Sequence, residues 1–274
     1  MKYSYKILYL VLALGAGLFG GVLHGHELVY CYDNTAGLYT ADTSSYILPV
    51  LCALAALVSL FAALGVREDK ETSYPAYYSL SKGGTAIHVL SGFFVIAGGA
   101  VLLYSFLSDH SIYSLLLGAF TAIAGVSFVL LSSVRAGRAP EASAKGNGIV
   151  VLFWICCALL YTFMEHPVEP ILQVFAYDLL AMCASALAIY CQTGRIFKKS
   201  RARLGAFGSL CGITLLTTAG FGRLCAFVLS GSLSYLREIA FRAPVMLGML
   251  LLCMLDAAAY LRSHAEQEDA NAEV

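Results

Sequence analysis

The chain has 274 residues, of which 59% are hydrophobic and 12% are charged, and its formal net charge is zero. Soluble domains carry roughly 45–50% apolar and about 25% charged residues, so this chain has too little polar surface to coat a soluble body of its size. The neutral balance also argues against a nucleic-acid-binding protein, which would carry a basic field. Composition therefore predicts one integral membrane domain, residues 1–262, and an acidic tail, residues 263–274, that we expect to be disordered.

Eight stretches of the chain are long and apolar enough to cross a bilayer. A helix needs about 20 mostly apolar residues to span the roughly 30 Å hydrocarbon core. The sequence thus predicts an all-α polytopic membrane bundle of eight transmembrane helices. The expected spans are residues 7–25, 46–66, 85–107, 112–134, 148–164, 171–191, 204–230 and 243–261.

The first span has an alternative interpretation as a cleaved signal peptide. Lys2 and Lys6 precede an apolar run that ends in small residues, as in such peptides. The run is long for a signal peptide and no clear A-x-A cleavage site follows it, so a retained helix is favoured.

The order of the spans raises the hypothesis of two related halves. Spans one to four and five to eight cross the membrane in the same sequence, and each half has a basic loop at its middle. Many transport proteins consist of two such repeats. Two four-helix halves are therefore an expectation for this bundle.

The basic residues of the loops indicate how the helices are oriented. Lysine and arginine concentrate in cytoplasmic loops, and 14 of the 17 basic residues fall on one side of the eight spans. The exceptions are Arg223 in the seventh span and Arg237 and Arg242 in the last outer loop. We expect a multi-pass protein of the cell membrane with both termini in the cytoplasm.

The loop after the sixth span is the most basic of the chain. One interpretation is an anchor that holds this loop in the cytoplasm, and the other is a site for anionic lipid headgroups. The residues that would contact the lipid are Lys198, Lys199, Arg201 and Arg203.

Burial of polar groups in hydrocarbon is costly, and among the polar residues inside the spans we take four as candidates for a functional role. Asp178 lies about 4.5 Å and Arg223 about 9 Å outward of the middle of their spans, so we expect direct or water-bridged contact. Asp256 and His88 lie about 6 Å and about 12 Å inward and could also meet. The alternatives are structural: a charge pair that clamps two helices, and a histidine that binds a backbone carbonyl.

Small residues recur at every fourth position in two spans, a spacing that lets helix backbones touch. The series are Gly17, Gly21 and Gly25 in the first span, and Gly208 and Gly212 in the seventh. His24 follows Gly17 by seven residues and therefore shares its face, so its side chain should point into the bundle.

Three outer segments carry histidine beside a carboxylate, and both are ligands for zinc or related divalent metals. The alternative is that histidine replaces lysine in loops that exclude positive charge. No HxxxH or HExxH pair occurs, so a metal site would have to be assembled from separate segments. The candidate ligands on the outer face are His24, His26, Glu27, Asp109, His110, Glu165 and His166.

The cysteines do not form a disulfide framework. Eight of the nine lie inside or at the ends of the spans, where cysteine serves mostly as a small hydrophobe. Cys31 alone lies in a loop.

Taken together, these features favour a transporter or permease for a small solute or ion, because such proteins use intramembrane charges. The main alternative is a non-catalytic membrane partner or sensor subunit, in which the charges serve packing. A third hypothesis, an intramembrane metal-dependent enzyme built on the outer histidines and acids, is less favoured. The chain has no G-x-x-x-x-G-K-[ST] loop, which argues against ATP-driven work within it.

Overall fold

The computed structural model describes residues 2–33, 38–40, 42–66, 68, 72–164 and 172–272. These residues form an all-α bundle in which eight helices are long and apolar enough to cross a membrane. Most predicted spans lie within a few residues of these helices. The helices are α1 (Lys2–His26), α2 (Thr43–Leu64), α3 (Tyr74–Tyr77), α4 (Lys82–Asp109), α5 (Ile112–Arg135), α6 (Glu141–Met164), α7 (Leu172–Ile196), α8 (Ala202–Ser230) and α9 (Leu233–Ala272).

A short irregular segment joins α1 to α2. A π-helical turn, Glu27–Cys31, continues α1 and leads into a pair of two-residue antiparallel strands, β1 (Tyr32–Asp33) and β2 (Leu38–Tyr39). The segment then enters α2, whose N-cap residue is Asp42.

Helix α8 is the central element of the bundle and packs against α1, α2, α7 and α9. Helices α4, α5, α6, α7 and α9 continue around it in the order of their contacts, α9 to α4, α4 to α5, α5 to α6 and α6 to α7. Helices from the first four spans therefore pack directly on helices from the last four, so the two halves of the chain interleave.

The glycine series in α1 packs on α8 as the sequence predicts. A Cβ atom on Gly17 would lie 2.7 Å from the backbone oxygen of Thr214, and one on Gly25 would lie 2.7 Å from that of Gly222. Gly208 approaches the backbone of α7 in the same way, whereas a Cβ on Gly212 would lie 2.9 Å from the side-chain sulfur of Cys253 in α9. The backbone contacts of Gly17, Gly25 and Gly208 let neighbouring helices approach closely.

Two prolines lie further inside helices than the predicted boundaries place them. Pro49 follows the start of α2 by six residues, and Pro244 lies inside α9 instead of opening it. Residues 233–242 belong to the same continuous helix as the last span. Helix α9 also extends through residue 272, into the segment for which we expect disorder.

The bundle has two ends with different chemistry. Among the residues that the structure describes, the basic end is formed by residues 65–66, 68, 72–81, 136–140 and 197–201, in the connections from α2 to α4, α5 to α6 and α7 to α8. The opposite end is formed by the described residues 27–33, 38–40, 42, 110–111 and 231–232. The positive-inside rule predicts that the basic end faces the cytoplasm.

Candidate functional site

A cluster of three charged side chains lies between α7, α8 and α9, toward the opposite end. Arg223 Nη1 donates to Asp178 Oδ1 at 2.8 Å, and its Nη2 contacts Oδ2. Arg242 Nη1 also donates to Asp178 Oδ2, at 2.8 Å. The predicted contact of Asp178 with Arg223 is therefore present, and a second arginine shares the same carboxylate.

Burial makes this cluster energetically important. Asp178 and Arg223 are almost completely buried, whereas the side chain of Arg242 is 18% exposed. A bidentate arginine–carboxylate pair compensates much of the cost of removing both charges from water. Arg242 is thus the member of the cluster that a ligand can reach.

A cavity of about 80 Å³ adjoins the cluster and is lined by α4, α5, α6, α7 and α9. Asp178 and Arg242 both lie on its wall. The remaining wall is mainly apolar and includes Trp154, Met182 and Met246. A buried water needs roughly 10–15 Å³ by the same kind of measure, so the cavity has room for several waters or a small ligand group.

His24 lies beside Tyr177, the residue that precedes Asp178 in α7. Its imidazole is completely buried, as its place on the face of Gly17 predicts, and its ring centroid is 5.0 Å from that of Tyr177. Its Nδ1 is 3.5 Å from Glu27 Oε2. A Cβ on Gly222 would lie 2.6 Å from His24 Cδ2, so the glycine in α8 makes room for this ring.

Asp256 pairs with Arg135 near the basic end, and not with His88. Arg135 Nη1 donates to Asp256 Oδ1 at 2.9 Å, and both side chains are buried. The sequence assigned Arg135 to a cytoplasmic loop, which is why this pair was not predicted. Neither ring nitrogen of His88 has a hydrogen-bond partner among the described residues, so the alternative of a carbonyl contact is not found there either.

The connection between α2 and α4 places three tyrosine side chains inside the bundle at the basic end. Tyr74, Tyr77 and Tyr78 are all buried. Arg135 Nε donates to the backbone oxygen of Tyr78 at 3.1 Å, and the hydroxyl of Tyr78 bonds to that of Tyr260 in α9. This tyrosine segment, Tyr74–Tyr78, therefore covers the Arg135–Asp256 pair.

Two further contacts hold the tyrosine segment on α7. Gln192 Nε2 donates to the hydroxyl of Tyr74 at 3.1 Å, and the guanidinium of Arg195 lies 3.4 Å from the ring centroid of Tyr77. Burial raises the pKa of Tyr74 to about 12, so its hydroxyl stays protonated at physiological pH. The segment is a neutral, aromatic closure of the basic end.

The candidate metal ligands of the outer loops occupy different places. His24 contacts Glu27, while His26 lies beside Cys31 and Asp42, two residues that the sequence did not single out for metal binding. His110 ends α4 with φ 50° in the left-handed region and stacks its ring edge-on against Phe106. Glu165, His166 and the side chain of Asp109 lie outside the described residues.

The basic residues for which lipid binding is one interpretation lie where α7 ends and α8 begins. Lys198, Lys199, Arg201 and Arg203 are all exposed. Arg203 is also fixed to the neighbouring connection, because its Nε donates to Val66 O at 3.0 Å. The backbone nitrogens of residues 202 and 203 bind the carboxylate of Glu68, which caps the start of α8.

Comparison of the chain with protein-family models, with curated proteins and with solved structures found no match.

Proposed function

We propose that this integral membrane protein is a transporter of a small organic anion. The observation that carries the proposal is the cavity that adjoins the Asp178–Arg223–Arg242 cluster inside a bundle of membrane-spanning helices. Charged residues inside spans commonly mark the path of a substrate or ion. A cavity beside such residues offers space in which a ligand can contact the charged side chains.

The charges and the wall of the cavity indicate the class of ligand. Two guanidinium groups share one carboxylate, and Arg242 is the partly exposed one, so an entering anion competes with Asp178 for Arg242. Arginine favours planar, bidentate partners such as carboxylates. The apolar side chains of Met182, Met246 and Trp154 suit a short hydrocarbon portion. A short-chain carboxylate meets both requirements.

The asymmetry of the bundle supports alternating access. The cavity lies in the half of the bundle toward the opposite end, while the tyrosine segment and the Arg135–Asp256 pair fill the basic end. With the basic end in the cytoplasm, this arrangement corresponds to a state closed on the cytoplasmic side. Release inward then requires the tyrosine segment to move away from Tyr260 and Gln192.

The test uses the single tryptophan of the chain as a reporter. Trp154 lines the cavity, and its Nε1 donates to Thr121 Oγ1 at 2.9 Å, so a ligand in the cavity changes its surroundings. We expect a saturable change in tryptophan fluorescence when purified protein is titrated with one of a series of short-chain carboxylates. The corresponding amides, which lack the charge, should give no change.

Two variants complete this titration. Arg242→Gln should abolish the response, whereas Arg262→Gln should keep it, because Arg262 binds Ser79 O at the basic end. A response that survives in Arg242→Gln would contradict an anion site at this cluster. The absence of a response to every carboxylate would contradict the proposed substrate class.

A second candidate function is a non-catalytic partner or sensor subunit. The observation in its favour is that the two buried aspartates are already paired with arginine, Asp178 with Arg223 and Asp256 with Arg135. Such pairs can serve helix packing alone. A protein whose charge pairs serve packing alone would show no response of Trp154 to any of the carboxylates.

A further inference from the structure

We propose that His26, Cys31 and Asp42 form a zinc site at the opposite end of the bundle. The ligand atoms of these three residues, an imidazole nitrogen, a thiol sulfur and a carboxylate oxygen, all lie within 4.8 Å of one another. Ligands held at about 2.0–2.3 Å around one tetrahedral zinc lie roughly 3.3–3.8 Å apart. The observed cluster needs to contract by about 1 Å, which side-chain rotation provides.

The backbone explains why these three residues meet. The hydrogen bonds of a π-helix join residues five apart instead of four, and Cys31 ends the π-helical turn five residues after His26, so both side chains lie on one side. The chain then returns through β1 and β2, and Thr40 N donates to Cys31 O at 2.8 Å. This bond brings the start of α2, with Asp42, beside the end of α1. Single π-helical turns occur frequently at functional sites.

The surroundings of Cys31 are polar, unlike those of a cysteine used for packing. The sulfur is buried, and the hydroxyl oxygens of Ser44 and Ser45 both lie 3.9 Å from it. Ser44 Oγ is also 3.4 Å from His26 Nδ1. Hydroxyl donors stabilise a thiolate, and hydrogen bonds to ligating imidazoles orient them. Serine residues therefore support two of the three ligands.

The accessibility of the three ligands is graded. Cys31 is 1% exposed, His26 is half-buried and Asp42 is exposed, so the ion can enter from the aqueous side through Asp42. Three protein ligands leave one position for water, and the nitrogen–sulfur–oxygen set suits zinc or a similar first-row divalent ion. A bound ion would tie α1 to α2 and close the segment between them. This role is independent of the anion cavity, so either proposal can fail alone.

Cobalt provides a direct spectroscopic probe of this site. Chelator-treated full-length protein, purified with a tag that contains no histidine, should bind one Co²⁺ per chain and develop the thiolate-to-cobalt charge-transfer band and the visible bands of tetrahedral cobalt. Zn²⁺ should displace the cobalt. Binding should weaken on acidification, because protons compete with the metal for the ligand atoms.

Variants distinguish this site from adventitious binding. Cys31→Ser should abolish the charge-transfer band, and His26→Gln and Asp42→Asn should each weaken binding about 10-fold or more. The controls Cys225→Ser and His110→Gln should bind as the wild type does. As a measurement that needs no variant, Zn²⁺ should slow alkylation of Cys31, but not of Cys225, in the native chain. The proposal would be overturned if the charge-transfer band survived in Cys31→Ser or if cobalt binding were unchanged in both His26→Gln and Asp42→Asn. It would also be overturned if Zn²⁺ did not change the rate at which Cys31 is alkylated.

Discussion

Asp178 accepts hydrogen bonds from arginines on two different helices, and this sharing decides how each charge contributes to stability. Arg223 lies on α8 and forms a bidentate pair with it, while Arg242 approaches from α9. Removing Asp178 leaves two arginines without their carboxylate. Removing Arg223 leaves Asp178 with Arg242. The predicted depths of Asp178 and Arg223 in their spans are enough to suggest that these two residues pair. The sequence places Arg242 in an outer loop, because the predicted eighth span begins one residue after it.

We expect Asp178→Asn to be the most destabilising change at this cluster, lowering the free energy of unfolding by about 3–5 kcal/mol, as for other broken buried pairs. Arg223→Gln should cost clearly less, because Arg242 still neutralises the carboxylate. The double variant Asp178→Asn with Arg223→Gln should be more stable than Asp178→Asn alone. Equilibrium or thermal unfolding in detergent measures the order. An Arg223→Gln variant as unstable as Asp178→Asn would show that Arg242 does not share the charge.

At the scale of the helices, glycine spacing determines which elements touch. The series in α1 packs on α8, and in α4 Gly92 and Gly99 pack on α5 at backbone distance. The α1 series is predictable because every fourth residue lies on one helix face, and the seven-residue spacing of Gly92 and Gly99 also returns to one face. The tyrosine segment was not predictable, since nothing in a loop sequence shows that its side chains insert into the bundle.

The α1–α8 contact can be tested with two substitutions in one helix. A Cβ on Gly25 would lie 2.5 Å from Cys225 Cβ, whereas one on Gly15 meets nothing within 4 Å. Gly25→Ala should lower the free energy of unfolding by about 1–3 kcal/mol, since the helices must separate. Gly15→Ala should be neutral or raise it by up to about 1 kcal/mol, because alanine favours the helix. Equal effects at both positions would contradict close packing of α1 on α8.

For the whole molecule, the number of membrane-spanning helices and the difference between the basic end and the opposite end follow from composition and the length of the apolar runs. The arrangement of the helices does not, because the spans look alike and any of several orders would bury their small residues. Arg135 illustrates the difficulty: it is charged and lies at the end of a span, so it reads as a loop residue, yet it is 1% exposed and paired with Asp256. Partners for such groups come from tertiary structure alone.

The sequence also does not predict that the cavity and the charge cluster lie together. Five helices contribute to the wall of the cavity, and Asp178 is the residue on it for which the sequence predicts a functional role. The remaining side chains are ordinary for a membrane helix. Their functional role follows only from the fact that they face one cavity that ends at a charged cluster. This arrangement is the reason that we propose transport of an anion.

Counterflow across vesicle membranes is a direct test of anion transport, because the experiment needs no knowledge of the coupling ion. Vesicles with the purified protein are loaded with the unlabelled carboxylate that alters Trp154 fluorescence, then diluted into a trace of the labelled form at a pH where it is ionised. We expect transient accumulation of label with the wild type and Arg262→Gln, and none with Arg242→Gln or protein-free vesicles. A carboxylate that binds saturably but accumulates no faster than in protein-free vesicles would contradict transport and leave a membrane protein that binds an anion without moving it.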